Sequence, residues 1–140
     1  TDIFANGDFY NGEYKQGLPD GYGQYKWKSG SSYTGDFVKG MKQGKGKWKK
    51  NESQVNCNQY IGEYYNDQKH GQGKFIWESG NVYEGQYAND KRQGFGLMKW
   101  VDGTVYEGEW QYGAQHGLGT ITFPNGQQKQ GVFQNNVFKG

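Results

Sequence analysis

A tyrosine followed two residues later by glycine returns along this chain at an almost fixed interval: Tyr10, Tyr33, Tyr60, Tyr83 and Tyr106, with spacings of 23, 27, 23 and 23 residues. The next slot falls at Lys129, where the tyrosine is lost but Gly131 and Phe133 keep the frame. This periodicity constrains the fold more than any single motif. A unit of that length cannot bury its own apolar face and must stack on its neighbours, so the chain reads as a repeat array. The stretch Tyr83–Val105 serves as the type unit, with two aromatic clusters, a glycine pair and two turn signals.

Within each unit two segments alternate in the manner of strands. In Tyr106-Glu107-Gly108-Glu109-Trp110 the rings and the glycine share one face and both glutamates take the other. Gly94, Gly96, Met98 and Trp100 alternate in the same way with Phe95, Leu97 and Lys99. The connection between units is a triplet such as Glu78-Ser79-Gly80 or Pro124-Asn125-Gly126, which suits a three-residue hairpin loop closed by a left-handed glycine. Such a loop pairs Phe75 with Tyr83, Gly73 with Gly85 and Gly71 with Tyr87, and so places both aromatic sets on one face. The second connection, at pairs such as Asn66-Asp67 and Asn89-Asp90, is also a turn, but its length stays open. The expected fold is all-β: a single-layer, elongated, twisted antiparallel meander of repeated hairpins, about eleven strands and roughly 50 Å long at roughly 4.8 Å per strand. One face would be aromatic and the other polar.

Residues 1–140 read as one array, with units starting near Tyr10, Tyr33, Tyr60, Tyr83, Tyr106 and Lys129. An insertion at residues 50–59 accounts for the one long interval, and Lys50 there takes a slot that holds tryptophan in three other units. The chain begins and ends in the middle of a motif, so a piece of a longer array is expected.

Composition narrows the functional classes. With 32% hydrophobic residues and 25 glycines the chain is poor in material for a two-layer core, yet 18% aromatic residues in register exclude a disordered segment. A net charge of +2 without a basic tail argues against a nucleic-acid partner. The single cysteine, Cys57, and the lack of a membrane-spanning apolar run point to a cytoplasmic setting.

With Tyr-x-Gly-x-aromatic, then Gly-x-Gly, then an aromatic and an Asn-Gly or Asp-Gly turn, repeated at 23 residues, the chain resembles an array of MORN repeats. The resemblance covers almost the whole sequence, with departures at the Lys50 insertion and the degenerate unit at Lys129. It implies a non-catalytic module of cytoskeletal, ciliary or axonemal and membrane-junction proteins, also found as an accessory array in some lipid kinases. Dimerisation, capture of a peptide or helix in a groove, and contact with phospholipids are the modes the family suggests.

The candidate sites follow from the faces. The rings Tyr14, Trp27, Trp48, Tyr64, Trp77, Tyr87, Trp100 and Trp110, with Phe37 among them, have no second layer above them. Some must pack on each other, and the remainder would form a patch for a protein partner or a second copy. The densest charge, Lys42, Lys45, Lys47, Lys49 and Lys50, suggests an anionic phospholipid surface or an acidic partner, with Lys45, Lys47 and Lys49 projecting together from the polar face. His70 and His116 occupy a variable turn slot several strands apart, which does not suit a shared metal. The acidic rows Glu13, Asp36, Glu63, Glu109 and Glu84, Glu107 are products of the repeat and read as a solvated face with cross-strand lysine partners. No catalytic, cofactor-binding or metal-ligating residues are assigned.

Overall fold

In the computed structural model, which describes residues 2–140, thirteen antiparallel strands form one open sheet in strict chain order. They are β1 (Asp2–Ile3), β2 (Phe9–Lys15), β3 (Leu18–Lys26), β4 (Ser32–Val38), β5 (Met41–Lys49), β6 (Gln59–Tyr65) and β7 (Gln68–Ile76). The second half holds β8 (Val82–Ala88), β9 (Lys91–Lys99), β10 (Val105–Gln111), β11 (Ala114–Thr122), β12 (Gln128–Gln134) and β13 (Val137–Phe138). The excess over eleven comes from β1 and β13, two-residue strands in which the partial end units still find partners.

Two turn chemistries alternate along the edges. On one edge the aromatic-x-x-Gly triplets close three-residue loops: the Trp77 N–H donates to Asn81 O (3.0 Å) and the Gly80 N–H to Trp77 O (2.9 Å). Gly80 sits at φ +99, the left-handed conformation that only glycine reaches without strain. The expected register holds, with Phe75 opposite Tyr83, Gly73 opposite Gly85, Gly71 opposite Tyr87 and Gly94 opposite Trp110. On the other edge the loops have two residues, both left-handed, as in Asn66 (φ 49) and Asp67 (φ 66), which is a type I′ turn.

Beside five of the six tight turns the register slips. From Gly85 to Tyr87 on β8 the partner strand β9 runs from Gly96 back to Arg92, so Gln86 faces a bulge centred on Gly94 at φ +80. The extra residues come in a pair, and the alternation of faces survives. The side chain at this slot closes the bulge by accepting a backbone N–H: Gln86 Oε1 from Phe95 (2.7 Å), Glu63 Oε2 from Gln72 (3.1 Å), Glu109 Oε2 from Leu118 (2.6 Å), Glu13 Oε1 from Tyr22 (2.6 Å) and Asp36 Oδ2 from Lys45 (3.3 Å). This corrects the reading of that acidic row as a solvated charged face. The slot needs an acceptor oxygen to satisfy a bulge N–H, and an uncharged glutamine does the same work. In the other row Glu84 lies 3.9 Å from Lys74 across the strand pair, whereas Glu107 faces Leu97 and Thr120.

The core is one layer deep. Tyr10, Tyr33, Tyr60, Tyr83 and Tyr106 are each 0% exposed. Each phenol lies across a glycine pair, such as Gly85 and Gly96 beneath Tyr83, where any Cβ would overlap the ring, and donates to the carbonyl three residues on (Tyr83 Oη to Gln86 O, 2.8 Å). Each ring is also wedged edge-to-face between the aromatic four residues later and its equivalent in the next unit, as in Tyr60–Tyr64 (5.1 Å) and Tyr60–Tyr87 (5.4 Å). Repeated through Tyr33–Tyr64, Tyr83–Trp110 and Tyr106–Phe133, this geometry makes one unbroken chain of rings along the molecule. It replaces the second layer that the composition could not supply.

Candidate binding trough

Above the ring chain the aromatic face is open. Trp27, Trp77 and Trp100 each begin a three-residue turn and are half-buried; Trp27 packs on Tyr25 (4.8 Å) and Trp77 on Phe75 (4.7 Å). Trp48 occupies the Phe75 slot of its own unit, faces Tyr33 across the strand pair and lies 6.4 Å from Phe75. Tyr64, Tyr87 and Trp110 belong to the buried ring chain and contribute only edges to the floor, as does Phe37. Tyr14, at the end of the array, is 40% exposed and donates its hydroxyl to Asp2. That bond, with burial and the Asp2 charge after it, pushes its phenol up to about 12. Three recesses on this face share residues: Phe75, Lys69 and Asp90 join the first two, and Trp77 and Arg92 join the second to the third. Together they make a trough along the array, and its widest tryptophan cluster lies around Trp77, Trp100 and Trp110 in a recess of about 590 Å³.

A ladder of cations runs through the trough, at a slot nine residues after the repeat tyrosine that sequence reasoning passed over. Lys42 sits over Trp27, Tyr33 and Tyr64 at 5.5, 5.9 and 5.5 Å. Lys69 sits over Tyr60, Phe75 and Tyr87, each within 5.9 Å. Arg92 sits over Trp110 at 4.9 Å and over Trp77 and Tyr83 at 5.8 and 5.9 Å. The signal was legible, since 42 − 33, 69 − 60 and 92 − 83 all equal nine. Burial pulls the Lys42 ammonium below the usual lysine value, a shift that the Asp67 carboxylate opposes.

Lys42 therefore leaves the group in which the sequence placed it. Lys45, Lys47 and Lys49 line a recess on the opposite face with Glu52, Glu63 and Ile61, while Lys42 points into the aromatic trough and pairs with Asp67 at 3.9 Å. The cause is parity, because position 42 shares the ring side with 44, 46 and 48 and alternates with 45, 47 and 49. Lys50 is exposed at the start of the insertion. The opposite face is also less polar than expected: Tyr22, Phe95 and Leu118, each just after a bulge glycine, are 60%, 55% and 64% exposed. His70 and His116 lie on β7 and β11, with His70 against Tyr65 (5.8 Å).

The MORN repeat family pattern matches residues 10–32, 33–51, 60–82, 83–105 and 106–128. The chain is a MORN-repeat protein. The five matched units begin at Tyr10, Tyr33, Tyr60, Tyr83 and Tyr106, and residues 52–59 fall between the second and the third. No match is found among curated proteins. Among solved structures, the MORN sheet is similar to the TCP domain of SAS-4 (dCPAP) of Drosophila melanogaster, determined in complex with a proline-rich motif of Ana2 (dSTIL). The identity is 12%, the TM-score 0.53, and the alignment covers 94% of this chain and 69% of that one. At that identity the likeness is one of fold.

Proposed function

We propose that this MORN array is a non-catalytic scaffold that holds an extended segment of a partner protein along its aromatic trough, in a cytoskeletal, ciliary or axonemal assembly in the cytoplasm. The observation that carries the reading is the trough itself: half-buried tryptophans at successive units, continuous over several strands, on a face with no second layer. Large apolar recesses with Trp and Tyr anchors are the usual form of a protein-binding surface. The SAS-4 domain, which shares the open sheet, was solved with a proline-rich segment, and that supports an extended peptide as the class of occupant. The cellular setting rests on the family resemblance.

The test compares the proteins captured from a ciliated-cell lysate by the native chain, by Trp77→Ala with Trp100→Ala, and by Lys45→Glu on the opposite face. The tryptophan variant should lose the partner while keeping its circular dichroism, and the lysine variant should retain it. A folded tryptophan variant with undiminished capture sinks the reading.

A second reading, a peripheral membrane module docking on anionic phospholipid and acting as accessory to a phosphoinositide kinase, is favoured by Lys45, Lys47 and Lys49 sharing one recess. Flotation with phosphatidylserine vesicles should then be lost on changing those three lysines to glutamate, with Trp77 and Trp100 intact.

A further inference from the structure

The rungs of the cation ladder are not equivalent. Lys42 pairs with Asp67 (3.9 Å) and Lys69 with Asp90 (3.5 Å), in both cases the second residue of the next unit's tight turn. For Arg92 that place is taken by Gly113, which offers only its carbonyl, and Arg92 Nη2 donates to it at 2.6 Å. Among the described residues Arg92 makes no ion pair. Asp102 lines the same recess, but its Oδ1 accepts the Thr104 N–H (2.8 Å) and it lies beyond ion-pair distance of Arg92. The guanidinium is thus a partly desolvated charge stacked on Trp110, with most of its five donors uncommitted, at the boundary of two recesses.

We propose that the segment held in the trough carries a carboxylate, from an aspartate, a glutamate or a chain terminus, that pairs with the Arg92 fork while neighbouring apolar side chains settle between Trp77 and Trp100. This rests on the trough being the binding surface and adds the chemistry that sets register along it. The bound carboxylate stands where Asp67 and Asp90 stand for the other two cations, so the ligand completes a pattern that the chain leaves open. A fork over a ring face donates two parallel N–H bonds to a planar carboxylate, which fixes both position and direction of the segment. The acidic turn residues beside Lys42 and Lys69 bias a second acidic group away from those rungs.

The experiment selects binders from a displayed library of random peptides against the whole chain. Selected peptides are then resynthesised with each acidic group replaced by its amide, and binding is followed by the Trp indole and Arg92 Nε–H resonances. Binders should share an acidic residue at a constant distance from an apolar one. The amide swap should weaken them tenfold or more, and Arg92→Gln should remove the difference between acid and amide peptides. The swap is made in the peptide, so the result does not depend on the variant folding. Binders that perturb the indoles but lack an acidic residue, or that bind equally as amides, overturn this inference and leave the trough reading standing. A library that yields no peptide perturbing the Trp77, Trp100 and Trp110 indoles overturns both.

Discussion

At the residue scale the least expected feature is the carboxylate that behaves as a backbone part. Glu63 Oε2 takes the Gln72 N–H beside the bulge at Gly71, and Gln86 performs the same task one unit later without charge. Glu63→Gln should therefore leave stability within about 0.5 kcal/mol, whereas Glu63→Ala, which strands a bulge N–H, should cost about 1–2 kcal/mol in denaturant unfolding. Equal losses for the two variants would mean that the charge matters after all. The glycine pairs were legible from the three-residue turn, which sets Gly73 opposite Gly85. The bulge was not, because Gly94 reads as one more alternating position and a two-residue slip preserves the face of everything beyond it.

At the element scale the hairpin is held from both edges. Tight-turn residues donate to the preceding unit, as Asp67 N–H does to Lys42 O (3.0 Å) and Asp90 N–H to Lys69 O (3.0 Å). On the other edge Asn81 Oδ1 accepts Val101 N–H (3.0 Å) and Asn58 Oδ1 accepts Glu78 N–H (2.8 Å). The insertion respects this scheme: Lys50 N–H donates to Asn58 O (2.9 Å), as Trp77 does to Asn81 in a regular turn, and Glu52 reaches back to the Ser32 hydroxyl. Replacing Lys50–Asn58 with the Trp77–Asn81 segment removes four residues, keeps the terminal asparagine and shortens the loop, so the melting temperature should be unchanged or higher. A fall on that exchange would show that the Glu52–Ser32 tie outweighs loop closure. Three-residue turns, register and shared faces were all legible, because turn chemistry and period-two alternation are local. The exposure of Phe95 and Leu118 and the Lys42 rung were missed, because each exposed side chain follows a bulge glycine that reads as ordinary alternation, and Lys42 is close in sequence to lysines of the opposite face.

At the scale of the whole molecule the core is a row of phenols, and this sets its response to base. Burial raises Tyr33, Tyr60, Tyr64, Tyr83 and Tyr87 above the ordinary phenol value of 10.0 and Tyr106 to about 12. Above pH 10 the unfolded chain releases these protons while the folded array keeps them, so the folded state binds more protons and stability falls as pH rises. Their contribution is complete below pH 10 and fades through pH 12 and beyond. Phenolate absorbance from these rings should appear in one step with loss of the sheet signal. Gradual ionisation near pH 10 in an intact sheet would show the rings to be accessible.

The strict chain order of the sheet has a metrical consequence. Each unit advances the array by two strands, about 9.6 Å at about 4.8 Å per strand, and a polyproline II helix advances about 9.3 Å in one turn of three residues. The two pitches nearly coincide. If the segment proposed for the trough lay in that conformation, it would present the same side to each successive unit, and the number of units would set its length in steps of three residues.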